Sequence, residues 1–197
     1  MRRSRLAFLL CAACIAVAAS APSGARAQRA QYVQGQVVGI GGRWSGLNRP
    51  FTLIVNNYTS ADDIARLNEA LRGGGQDALL SALTRLNAGR ISIGNNVGVR
   101  ANAVISTPAA EGGTKLTVLY ERNVNFYELR AGTRSSDYRF GYAEIFLDAR
   151  GRGEGTFIPA AKVKLEGDNT WVVEDFGEFP ARLMGLRSRG GGGAVAR

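Results

Sequence analysis

The chain has 197 residues, with 25 Lys and Arg against 16 Asp and Glu, two cysteines and no histidine. Without imidazole, and with Cys11 and Cys14 both inside an N-terminal apolar run, Ser-His triads, Cys-His pairs, His-based zinc or iron sites and ordinary haem ligation are excluded. A hydrophobic content of 45% suffices for one buried core without disulfides or metals.

Arg2, Arg3 and Arg5 form a basic start, residues 6–19 an apolar run of 14, and Ala25-Arg26-Ala27 a small-x-small site before Gln28. This is the pattern of a secretory signal peptide over 1–27, and it predicts an exported protein, periplasmic or extracellular. A membrane anchor would need about 20 apolar residues, whereas Pro22 and Gly24 interrupt the run too soon, so no integral membrane protein is expected. Cys14 lies within the apolar run and not after a lipoprotein box. Four basic residues precede Gln28, and Arg187, Arg189 and Arg197 fall in a Gly/Arg-rich tail, 187–197, expected to be disordered. Residues 28–186 then keep 18 basic against 16 acidic residues, or +2. That balance predicts an ordinary surface and no nucleic-acid partner.

Within this single domain, 31–41 reads as a glycine-loosened strand and 51–56 as a second, with Phe51, Leu53 and Val55 on one face. The glycines at 39, 41, 42 and 46 lack the Gly-Lys-Ser/Thr and following helix of a phosphate loop. Ser60 is a helix N-cap, with Asp62 and Asp63 in the first turn. Ile64, Leu67 and Leu71 share a face, Gly73–Gly75 stop the pattern, and Leu79, Leu80, Leu83 and Leu86 resume it. The spacing therefore predicts a two-helix hairpin over 60–88 that lays its leucines on the sheet. Too few basic residues line these helices for a membrane-surface role.

Strands are expected again at 90–93, at 97–105 as one alternating run, and at 116–121. Residues 124–140 are irregular and gather Phe126, Tyr127, Tyr138 and Phe140 with Glu128, Arg130, Arg134 and Asp137. From 141 to 176 three alternating segments separated by turns predict an antiparallel meander. The fold expected is α+β and mainly antiparallel β, a sandwich or partly closed barrel of about eight strands, with the helical hairpin inserted after the second strand.

The three lysines, Lys115, Lys162 and Lys164, fall at outward strand positions without a Ser-x-x-Lys motif, which argues against a Ser-Lys nucleophile. The acidic loops at 148–154 and 166–169 lack the alternating spacing of calcium loops, so neither metal nor cofactor is expected. Glu128, Asp137 and Glu144 lie among aromatics and could serve a carboxylate-only polysaccharide hydrolase. Read locally, Glu144 is an outward strand residue and Asp137 caps a turn. Small residues at Ala101, Ala103, Ala160 and Ala161 leave room for a lipid or small-ligand carrier.

The segments Ser135-Ser136-Asp137-Tyr138-Arg139-Phe140, Glu144 to Asp148, Gly153-Glu154-Gly155 and Ala160-Ala161-Lys162, with the helix start at 75–79, resemble a family of small secreted bacterial proteins of unknown function. The resemblance implies no catalytic residue. Together these features predict a non-catalytic binding or interaction module of the cell envelope. Its candidate binding residues are Arg122, Glu128, Arg134, Asp137, Tyr138 and Phe140, and its partner an envelope glycan, lipid or protein.

Overall fold

The computed structural model describes residues 30–39, 45–122, 137–167, 170–175 and 181–190. The expected signal peptide, the aromatic stretch from 124 to 136 with Glu128 and Arg134, and residues 191–197 lie outside them. Ten strands are described: β1 (Gln31–Val38), β2 (Asn48–Val55), β3 (Gly89–Ile93), β4 (Val99–Ala101), β5 (Ala103–Pro108), β6 (Thr114–Glu121), β7 (Phe140–Leu147), β8 (Arg152–Glu166), β9 (Thr170–Asp175) and β10 (Ala181–Arg189). One helix, α1 (Ala61–Leu83), follows β2.

All ten strands join one antiparallel sheet in the order β4-β3-β2-β1-β10-β8-β7-β6-β5, with β9 paired to the far half of β8. A single sheet of ten strands replaces the expected sandwich or barrel of about eight, and its ladder is not closed. The sheet curls nonetheless. Its terminal strands β4 and β5 are consecutive in the chain, separated only by Asn102, and contribute Ala101 and Val104 to the same inner core as Val33, Leu53, Val118, Ile145 and Leu183.

Asn102 is why the expected run 97–105 is two strands. It is buried, its amide donates to Leu83 O at 3.2 Å and Leu86 O at 3.3 Å, and its Oδ1 accepts from Glu121 N at 3.0 Å. With its polar groups satisfied inside the protein it occupies a position that simple alternation would assign to the ladder. Side-chain parity inverts there: Ala101 faces the inner cluster and Ala103 the outer one.

A second corner lies between β1, β10 and β8. Pairing slips between Gln34 and Gln36 and again between Leu183 and Leu186, around Gly35 and Gly185. Gly185 takes φ 61°, a conformation easy for glycine, and such bulges bend a strand and sharpen its twist. The C-terminal segment is thus an interior strand of the sheet at least to Arg189, which corrects the expectation of a disordered tail from 187.

The helix is also one element and not a hairpin. Ser60 caps it, its Oγ accepting from Asp63 N at 3.1 Å, while Asp63 pairs with Arg66 and its carboxyl is held below the usual range, first by the Ser60 hydroxyl. Of the glycines expected to stop it, Gly75 alone leaves helical geometry (φ 64°, ψ −147°). The next residue shows what the kink permits. The Gln76 amide donates to Val163 O at 2.6 Å and accepts from Val163 N at 3.1 Å, just past the point where β7 stops pairing with β8. Both halves therefore lie on one surface. Leu67, Leu71, Leu79 and Leu83 bury against Leu119, Phe140, Tyr142, Ile158 and Val163, and Asn68 Oδ1 accepts from Trp171 Nε1 at 2.6 Å. β6, β7 and β8 are thus covered on both sides at Leu119, Phe140, Tyr142, Ile158 and Val163, while Lys115, Glu144 and Phe146 farther along the same face stay partly exposed.

Candidate functional site

Of the six expected binding residues, Glu128 and Arg134 are outside the described residues; Arg122, Asp137 and Tyr138 stay near one another, and Phe140 parts from them. Phe140 is fully buried beneath α1 and is a core residue, which corrects its assignment to a binding surface. It begins β7 with its ring on the outward side, where sequence alternation alone suggests exposure and the helix supplies the cover. Arg122 works on the backbone: its Nε donates to Tyr138 O at 3.0 Å and its main-chain N–H to Arg139 O at 2.9 Å, which holds the approach to β7.

Tyr138 and Asp137 join a compact charge cluster on β8 and β9. The Tyr138 hydroxyl donates to Glu174 Oε1 at 2.9 Å, and Lys162 lies over its ring at 4.6 Å. Lys164 pairs with Glu174 at 2.6 Å, and Lys162 lies 3.9 Å from Asp137. The Glu174 carboxyl is held below its usual range, first by Lys164 and then by the Tyr138 hydroxyl. Lys115 is likewise paired with Glu144 and sits 5.6 Å from the Phe146 ring centre. Asp137 and Glu144 thus answer to different lysines, with the buried rings of Phe140 and Tyr142 between them along the chain.

A different surface has no such balance. β1, β2, β3, β4 and β10 contain six arginines (Arg49, Arg90, Arg100, Arg182, Arg187 and Arg189) and no acidic residue. Strand alternation turns most of them outward, because the neighbours Val33, Leu53, Ile91, Ala101, Leu183 and Leu186 fill the inner core. Register then sets like charges face to face: Arg152 opposes Arg187, and Arg90 opposes Arg100. Two rows cross the sheet. Arg152, Arg187, Gln34, Thr52 and Ser92 are successive partners in one, and Arg189, Tyr32, Ile54, Arg90 and Arg100 in the other. Tyr32 is 44% exposed between these charges.

Like charges directly opposite on a sheet are destabilising; Arg90 and Arg100 turn their guanidinium groups to the backbone carbonyls of Val97 at 3.2 Å and Thr84 at 3.3 Å, and among the described residues no carboxylate pairs with either. Among the described residues no carboxylate lies within ion-pair distance of Arg150, Arg152, Arg187 or Arg189. Asp148 is near, but its Oδ1 accepts the backbone N–H groups of Arg150 and Arg152, each at 2.8 Å. Those bonds, the Arg152 one foremost, hold its carboxyl below the usual range. The turn is also fastened to β10 by Ser188 N donating to Gly151 O at 2.7 Å. Behind the strand, Tyr58 donates to Gln31, whose amide donates to Ser188 Oγ at 2.7 Å. The arginines at this corner therefore stand on a fixed backbone. Arg150, Arg152, Arg187 and Arg189 line a recess of about 280 Å³ with Gly151 and Ser188.

Such a surface can hold anions, but guanidinium does not exchange protons near neutral pH and offers no general acid or base. Sequence reasoning missed it for two reasons. The paired Arg-x-Arg spacings at 150–152 and 187–189 are visible, yet the second was assigned to the tail, and the Arg90–Arg100 pairing depends on register. Among the described residues no group of three or more acidic side chains is placed to hold a metal, and no helix is long and apolar enough to cross a membrane. In comparisons with protein-family models, curated proteins and solved structures, the chain matches none.

Proposed function

We propose that the protein is an exported, non-catalytic binding module that takes an acidic polymer of the cell envelope, most simply an acidic glycan, on the open face of β1–β4 and β10. The single observation that carries this reading is the acid-free set of five strands with opposed arginine pairs, a local electrostatic cost that an anionic partner would relieve. A glycan suits the composition of the face better than a bilayer does. Gln34, Thr52 and Ser92 continue the row begun by Arg152 and Arg187 and can bond sugar hydroxyls, and Tyr32 offers a ring for stacking, whereas the exposed aliphatic side chains on these strands are Met184 and Val99. Export follows from the N-terminal pattern.

The polysaccharide hydrolase is less well supported, since Asp137 and Glu144 are each engaged by a different lysine. A lipid carrier finds little support in an interior occupied by Phe51, Leu53, Leu116, Ile145 and Leu183. The test is affinity for a linear polyuronate against neutral dextran, over a range of salt. Binding of the polyuronate alone, with log K falling linearly as log salt rises and reduced in Arg90→Gln/Arg100→Gln, is expected. Equal binding of dextran, or no dependence on salt, would overturn the proposal.

A further inference from the structure

Four arginines at one corner are more than a stretch of basic surface requires. Arg152 and Arg187 are directly opposed across β8 and β10, and by the same register Arg150 and Arg189 extend the pair into the turn. The recess they line, about 280 Å³, is at the lower edge of the roughly 300 to 1,000 Å³ of small-molecule sites, a size suited to one charged group with its immediate attachment. Backbone donors there are already used: Arg150 N and Arg152 N by Asp148 Oδ1, Gly151 N by Asp148 O, and Ser188 N by Gly151 O. Recognition must come from guanidinium forks, whose paired N–H groups match two oxygens of one anion at a time.

We infer that this corner is a phosphate-monoester site, which deepens and rests on the anion-binding reading. A planar monoanion offers one edge and one charge to four cations. A phosphate monoester carries between −1.5 and −2 charges near neutral pH and three terminal oxygens on different sides, so forks from both strands can engage it together. The ester comes from a phosphorylated glycan or from a lipid headgroup, and the chemistry at the protein is the same for both.

The experiment uses the full exported chain and calorimetry at low ionic strength, with inorganic phosphate, sodium acetate, and vesicles of phosphatidic acid or phosphatidylglycerol in phosphatidylcholine. Phosphate should bind at least tenfold more tightly than acetate. Arg152→Gln and Arg187→Gln should each weaken phosphate roughly tenfold, the loss expected when one charged hydrogen-bonding partner is removed. Arg90→Gln/Arg100→Gln, far across the sheet, should leave phosphate unchanged while weakening polyuronate. Preference for phosphatidic acid over phosphatidylglycerol vesicles assigns the ester to a lipid; phosphate binding with indifference to both vesicles assigns it to a glycan. Equal affinity for acetate and phosphate, or phosphate binding untouched by both single variants, overturns the site. Polyuronate binding without phosphate binding overturns this inference alone, and phosphate binding without polyuronate binding overturns the extended face alone. Because Arg152→Gln relieves repulsion, its melting temperature without ligand should equal or exceed that of the parent, which separates lost binding from lost folding.

Discussion

Compare the outward side of β6–β9 with the outward side of β1–β4 and β10. The first is roofed by α1, and all three lysines of the chain, Lys115, Lys162 and Lys164, stand there or beside it with a carboxylate partner. Among the described residues the second has no roof, and its five strands carry six arginines, most of them outward, and no acid. Both belong to one sheet and share one inner core, so stability does not require them to differ. The covered half buries its apolar groups where α1 lies and pairs its lysines, with Phe146 and Val172 left exposed beyond the helix. The open half departs from that pattern at specific cross-strand positions, as a surface does when something else completes it.

The comparison can be broken at its covered half first. Phe140→Ala removes a fully buried ring between α1 and the sheet and should cost about 3–5 kcal/mol in urea unfolding, whereas Tyr32→Ala on the open side should change stability by less than about 1 kcal/mol. Similar losses for the two would mean that the halves are not packed differently. The hinge between them comes next. Asn102→Leu strands the carbonyls of Leu83 and Leu86 and the N–H of Glu121, and should cost about 3 kcal/mol with an unchanged denaturant slope. A markedly altered slope would mean that the curl of the sheet, and not only a set of hydrogen bonds, depends on this residue.

The open half is sharpened by reversing one charge. Arg152→Glu places a carboxylate opposite Arg187, and should stabilise the unliganded protein by up to about 1 kcal/mol while reducing polyuronate affinity and flattening its salt dependence. A destabilised variant would show that the arginine pair is already relieved within the protein. The smallest effect belongs to the covered half and concerns pH. The Glu174 carboxyl lies below its ordinary value of 4.5 in the fold, so its contribution is fully present above that value and is lost as pH falls through the lower folded value. Titration of the Glu174 carboxyl carbon by NMR should show a depressed midpoint that moves up in Lys164→Ala, and a midpoint unmoved by that substitution would remove the assigned cause.

Residue order alone specified most of the local structure. The Ser60 cap and the alternation around Leu53, Val118 and Ile145 each require only neighbours in the chain and led to the right element, whereas the leucine spacing, broken by Gly73–Gly75, was read as two helices where there is one. The candidate site was less legible. Phe140 has the alternation of an exposed strand residue and is buried because α1, which ends 57 residues earlier at Leu83, lies over it. Arg187 and Arg189 sit beside a glycine run that reads as tail, and they are ordered by ladders to β1 and β8. Asn102 and Gln76 show the same limit: both were unremarkable polar residues in sequence, and their importance comes from backbone groups 16 to 87 positions away.

What the sequence determined by itself was the set of available chemistries and the identity of most elements, because composition and periodicity are properties of the chain. What the tertiary structure decided was which charges face one another. A net charge summed along a chain carries no direction, whereas strand register places Arg152 against Arg187 and Arg90 against Arg100, and leaves the acids on the other half of the sheet.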